Sequence, residues 1–185
     1  MRRSVEWLVT LAVAIGTVLA LKAYVVNPYR VPSSSMEPTL HCGKPGGGCE
    51  ANFDERILAN RLAYRYRDPK RGEIVVFRTP PATARRCGGG GTFVKRIVGL
   101  PGEVVSERDG IVSVDGKPLA EPYIARSRRD SLTQSWPRIP SRGYFVMGDN
   151  RASSCDSRKW GTVPRENLIG PVAASYWPPS RVARR

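Results

Sequence analysis

The sequence predicts a mainly β protein, with a single N-terminal transmembrane helix followed by an irregular antiparallel-β domain. Three observations carry this. An apolar stretch opens the chain. After Asn27-Pro28, Gly and Pro become frequent and long helical periodicity stops. Short runs rich in β-branched residues then follow, each bounded by turn residues.

The first element is the apolar stretch. Residues 1–6 form a short basic lead with Arg2 and Arg3. From Trp7 to Leu21 there are 15 residues without a charge, and after Lys22 the apolar character resumes to Val26. A helix over 7–26 is about 30 Å long, the thickness of a bilayer core. Lys22 lies near one end, where its stem reaches the headgroups. Arg2 and Arg3 place the N-terminus in the cytoplasm and residues 27–185 outside it. A cleavable signal peptide is the competing reading, but the bulky "YVVNPYR" makes a poor cleavage site. A surface helix also competes, but the apolar residues are not confined to one stripe.

The strands follow in order: "RILAN" (56–60), "EIVVF" (73–77), "FVKRIVGL" (93–100), "IVSV" (111–114), "YFVM" (144–147) and "LIGPVAASYW" (168–177). "VDGK" (114–117) predicts a hairpin and "LPGE" (100–103) a turn. "HCGKPGGGCE" (41–50) and "RRCGGGGT" (85–92) read as solvated, mobile loops. The second lacks the Gly-Lys-Ser/Thr ending of a phosphate loop. Residues 125–142 are polar and read as a surface excursion. Nothing repeats, so 27–185 is a single domain large enough for its own core.

Composition narrows the function. Thirty Lys and Arg against 16 acidic residues give a net charge of +14. That excess suits a nucleic acid, an anionic membrane surface or an acidic partner. The charges are scattered, without the aromatic-studded basic stripe of a single-strand binder, so no nucleic acid is expected. The four cysteines, Cys42, Cys49, Cys87 and Cys155, show no C-x-x-C spacing, and His41 is the one histidine. No metal site and no cofactor is expected. Cys42 and Cys49 flank a flexible loop that a small disulfide ring would close. Unpaired thiols fit equally well, and the pairing stays open.

Candidate chemistry starts at "VPSSSMEPTL" (31–40), where Ser33, Ser34 and Ser35 stand between Pro32 and Pro38. The choice is between a serine linker and a positioned nucleophile. A serine hydroxyl needs a base. His41 is close in sequence, on the far side of Pro38. A lysine serves if burial lowers its pKa, because the charged form then loses its water. Lys95 lies inside an apolar run, with alternation placing Phe93, Lys95 and Ile97 on one face. The bland reading of Lys95 is a snorkelling strand lysine. "GDNRASSCDSR" (148–158) is dense in polar groups after a strand, with helix capping or a hydrogen-bonded turn as its bland readings.

The order of anchor, "PSSSMEPTL", "RGEIVVF", "VKRIVGLPGE" and "GDNRASSCDSR" resembles the type I signal peptidases, membrane-anchored Ser-Lys endopeptidases. The resemblance runs from the anchor to about residue 177. It implies a signal-peptidase-like β domain, Ser35 as nucleophile and Lys95 as general base. It implies an oxyanion hole from Ser33 and the Ser35 amide, Ser154 as the serine that orients the lysine, and Asp156 with Arg158 as a supporting ion pair. Asp149, Asn150 and Arg151 are implied as scaffold. Lys in the place of His favours the bacterial kind. Implied partners are signal-peptide-bearing preproteins, cut after small-X-small (Ala-X-Ala) sites, and membrane phospholipid, with the chain acting as a monomer in the plasma membrane.

Two positions depart from the pattern. Ser34 stands where a small residue is usual. Cys155 lies inside the last motif, where oxidation would disturb Ser154 and Asp156. Rivals are a self-cleaving Ser-Lys repressor, which needs a DNA-binding domain, and a catalytically dead tethered β domain.

Overall fold

Strand formation follows the apolar runs closely. A computed structural model describes the backbone of residues 2–184 and the side chains of 6–18 and 25–184. Helix α1 (Arg2–Tyr24) leads into β1 (Val26–Arg30). Next come β2 (Arg56–Asn60), α2 (Ala63–Tyr66), β3 (Ile74–Arg78), α3 (Pro81–Cys87) and β4 (Thr92–Gly99). The chain then forms β5 (Val105–Arg108), β6 (Ile111–Val114), β7 (Lys117–Pro118), β8 (Gln134–Ser135) and β9 (Gly143–Met147). Helix α4 (Ser157–Trp160), β10 (Val163–Pro164), β11 (Leu168–Trp177) and β12 (Ala183–Arg184) complete it.

The main sheet has the order β1-β2-β11-β3-β4-β9-β10, with β12 on β11; a smaller sheet has the order β7-β6-β5-β8. Every pairing in both is antiparallel. One apolar cluster on the main sheet gathers Val75, Phe77, Ile97, Val146 and Trp160. A second gathers Met36, Leu40, Ile57, Val76 and Val172. A third joins the sheets through Val98, Val105, Val112, Trp136, Ile139 and Phe145. Met36 and Leu40 thus fasten the serine turn to the main sheet.

The hairpin at 114–117 forms with Asp115 and Gly116 both at positive φ, as a two-residue turn requires. Asp109-Gly110 makes the same turn between β5 and β6. One expectation changes and two gain detail. Residues 85–87 are helical, because Pro81 starts α3 at a position that needs no N–H and Gly88 ends it in the left-handed region. The 41–50 loop is solvated at its tip, residues 44–48, but its base is closed by buried, bonded Cys42 and Cys49. The 125–142 excursion is nailed down by buried Trp136 and Ile139.

α1 ends at Tyr24, two residues short of the expected span, and Val26 already pairs with Asn60. Pro28 pushes the residue before it into extended backbone. Among the described residues no helix is long and apolar enough to cross a membrane. The expected snorkelling of Lys22 and the Arg2-Arg3 lead fall outside the described side chains. Trp7, Leu8, Val9, Leu11, Val13, Ile15 and Val18 are all more than half exposed, on every side of the helix.

Candidate active site

Ser35 sits in a single 3-10 turn, Ser34–Met36, entered from an extended Ser33. The turn is held from three directions. Met36 is buried in the second cluster. Ser34 Oγ donates to the Gly47 carbonyl at 2.9 Å, so the extra hydroxyl is used to tie down the neighbouring loop. Asn150 donates its N–H to Ser35 O at 3.1 Å and its Nδ2 to Ser34 O at 3.0 Å. Ser33 Oγ lies 3.2 Å from Ser35 Oγ.

Lys95 reaches this turn from the middle of β4, opposite Val75. It is 3% exposed, and its Nζ lies 2.5 Å from Ser35 Oγ and 3.1 Å from the Val94 carbonyl. The Phe93 ring centroid is 5.5 Å from the amine. Burial lowers the Lys95 pKa from 10.5 to about 8, partly opposed by the charges of Asp156 and Asp149. A neutral amine is therefore accessible near neutral pH, directly beside a serine hydroxyl. No carboxylate touches the amine among the described contacts, so no ion pair holds the proton in place.

Gly148 marks where the 148–158 loop meets the serine turn. A β-carbon there would collide with Ser154 Oγ and Ser35 O. The loop carries three charge pairs. Asp149 takes two bonds from Arg96, at 2.9 and 2.6 Å. Fully buried Arg151 pairs in bidentate fashion with Glu121 and donates to Gly148 O at 3.0 Å. Asp156 takes two bonds from Arg158, each 2.8 Å, and one from Gly148 N at 3.0 Å. Burial alone would raise the Asp156 carboxyl, but these partners, Arg158 foremost, hold it below the usual range. Arg158 also binds Asp130 and the Arg151 carbonyl.

The structure thus brings Ser33, Ser35 and Lys95 together and pairs Asp156 with Arg158. Ser154 lies at the same junction. Its buried hydroxyl lies beside the Asp156 carboxylate, and the bonds of Lys95 go to Ser35 and Val94. Cys155 is bonded to Cys87. Asp156 keeps its full set of partners beside that bridge. A cleft of about 320 Å³ opens over Ser35 and Lys95, walled by Val31, Phe93, Ser153 and both bridged cysteines.

Sequence reasoning left several supports unassigned. Glu121 lies in a polar stretch with no motif to flag it as the partner of Arg151. Arg96 and Asp149 stood in quoted motifs, yet nothing in one sequence pairs them. Glu37, His41 and Glu50 each bring one ligand atom within 4.8 Å of the others. Glu37 is already engaged there, accepting from Cys42 N and Glu50 N and contacting His41, while Glu50 meets Arg128.

A family model described as signal peptidase, peptidase S26, matches residues 4–177. "Probable signal peptidase I-2" of Synechocystis sp. is 39% identical over 173 residues, covering 94% of this chain and 73% of that protein. "Signal peptidase I" of Leptolyngbya laminosa is 34% identical, covering 96% of this chain and 81% of that protein. A crystal structure of a signal peptidase I from Enterococcus faecalis V583 aligns with a TM-score of 0.47 at 29% identity, covering 57% of this chain and 97% of that one. The chain belongs to the signal peptidase family, peptidase S26, and is a serine endopeptidase of the signal peptidase I kind.

Proposed function

We propose that the chain removes N-terminal signal peptides from exported preproteins after small-X-small (Ala-X-Ala) sites, with Ser35 as nucleophile and Lys95 as general base. The observation that carries this is the buried Lys95 amine 2.5 Å from Ser35 Oγ. The neutral amine takes the Ser35 proton as the oxygen attacks the scissile carbonyl. The Ser35 amide and Ser33 hydroxyl receive the developing oxyanion, each such donor being worth about 100- to 1,000-fold. The lysine then passes its proton to the leaving amine, and a water activated by the same amine releases the acyl group. Ser154 is assigned to orient the amine once Ser35 has been consumed as its partner. The Asp156–Arg158 pair keeps that serine's loop in place. No metal or cofactor takes part in these steps.

The remaining assignments concern place. Residues 1–6 stay cytoplasmic, 7–26 anchor the chain and 27–185 form the extracytoplasmic peptidase domain, acting as a monomer. The apolar side chains exposed all round α1 support the anchor, since water would not tolerate them unpartnered in such number. Sharing one phospholipid membrane with the preprotein raises effective concentration.

The test is cleavage of a preprotein in detergent with phospholipid by the native chain, Ser35→Ala and Lys95→Ala. Cleavage after a small-X-small site by the native chain alone is expected. Equal cleavage by either variant refutes the residue roles, and inactivity of all three favours a tethered binder.

A further inference from the structure

Helix α3 reaches the cleft through its last residue, Cys87, and buries Thr83 beneath it. It has seven residues, too short to stand alone, and is reached through Pro80-Pro81 and left through four glycines, Gly88 to Gly91. Thr79 and Gly91 are tied by backbone and hydroxyl bonds at the foot of this excursion. Above that foot, Ala82 and Cys87 pack on the first apolar cluster. The one covalent tie is the bridge from Cys87, the last helical residue, to Cys155, with Cα atoms 6.0 Å apart and 68 residues between them in sequence. Cys155 lies between Ser154 and Asp156. Both sulfur-bearing residues face the cleft that holds Ser35 and Lys95.

We propose that the Cys87–Cys155 disulfide fixes the width of this cleft, and so the size of the substrate side chain accepted beside the scissile bond. The inference rests on the peptidase reading above. With the bridge closed, α3 is held against the catalytic loop and the cleft admits small side chains. With it open, α3 keeps only the packing of Ala82, Thr83 and Cys87 between a proline pair and a glycine run, and the wall yields to larger ones. Cys87 and Cys155 are positioning residues in this account and touch no reacting atom.

The test uses two peptides that differ only in Ala or Val before the scissile bond. Their kcat/KM ratio is measured for the native chain, the native chain in dithiothreitol, and Cys87→Ser/Cys155→Ser. Dithiothreitol supplies two electrons and two protons to the S–S bond, leaving two thiols and its own cyclic disulfide. The Ala-over-Val preference is expected to fall about tenfold on reduction and in the double variant, mainly through KM of the Val peptide. The same response to reductant is expected in Cys42→Ser/Cys49→Ser. An unchanged preference overturns the proposal, as does a response to reductant that vanishes in that second variant. A native chain that cuts neither peptide fails the peptidase reading itself. Amide hydrogen exchange then judges the bridge alone: reduction must speed exchange across 80–91, and unaltered exchange refutes the clamp.

Discussion

Lys95 and Arg96 are consecutive cationic residues on β4, both buried, and they meet opposite environments. Arg96 finds Asp149 in a two-pronged pair, donates to the Gly72 carbonyl and lies 3.9 Å over the Tyr123 ring. Lys95 finds a hydroxyl, a carbonyl and an aromatic ring, and no contacting carboxylate. The first arrangement keeps a charge and builds structure around it. The second withholds the partner that would stabilise the charge, so desolvation prevails and the amine drifts towards neutrality. One residue step along a strand, with its change of face, separates a paired cation from a desolvated amine.

The comparison breaks most sharply at Lys95→Arg. A guanidinium keeps the positive charge and cannot act as a neutral base. Peptidase activity should fall about 100- to 10,000-fold, and because the buried guanidinium can neither lose its proton nor find a carboxylate, the melting temperature should fall as well. A variant with near-native turnover would show that charge, not basicity, is what the site uses. Arg96→Ala attacks the other side. It strands Asp149 in the interior, and a stability loss of about 3–5 kcal/mol is expected in urea titrations. A loss below about 1 kcal/mol would mean that the pair is dispensable to the fold.

The pH dependence sharpens the same contrast. With Lys95 at about 8, kcat/KM should climb about tenfold per pH unit below that value and level off above it. The linkage has a definite sign. Between about 8 and 10.5 the unfolded chain holds a proton that the native lysine has lost, so this group makes the fold more stable as pH rises through that window. A rate flat from pH 6 to 9 would exclude Lys95 as the titrating base. Glu107 gives the smallest effect. Burial foremost, with help from Asp130, raises it from 4.5 to about 7, against the pull of Arg158 and Arg151. The native state then holds a proton that the unfolded chain gives up, a contribution present below 4.5 and lost as pH rises through 7. Glu107→Gln should cancel that loss, gaining on the native chain by on the order of 2 °C between pH 5 and 8. Parallel melting curves would refute it.

Several strands were legible because each apolar run is short and closed by turn residues, while others, such as β1, β5, β8, β10 and β12, carry no such run. "RILAN", "IVSV" and "LIGPVAASYW" match their strands end for end. That Ser35 and Lys95 belong together was implied by the two family motifs that carry them; the strand alone left Lys95 open to a snorkelling reading, and the structure sets the two side by side. What escaped was long-range pairing. Neither Glu121 with Arg151 nor Cys87 with Cys155 leaves a local pattern, since each joins segments that only the folded sheet brings together. The 41–50 loop escaped for a related reason. Its glycines suggest mobility, while a disulfide and the buried Glu37 carboxylate fasten its two ends. The helix α3 was hidden by the glycine run that follows it.

The glycine at 148 also carries a consequence for how the protein is made. Ser35 and Lys95 leave the ribosome well before the segment that seats them. Asn150 holds the serine turn, Asp149 secures the strand beside Lys95, and Gly148 leaves room for both to close. A growing chain that ends ahead of this segment owns a hydroxyl and an amine with nothing to bring them into register. The approach of Lys95 to Ser35 is therefore a late event in synthesis, because it waits for residues 148–150 to be delivered.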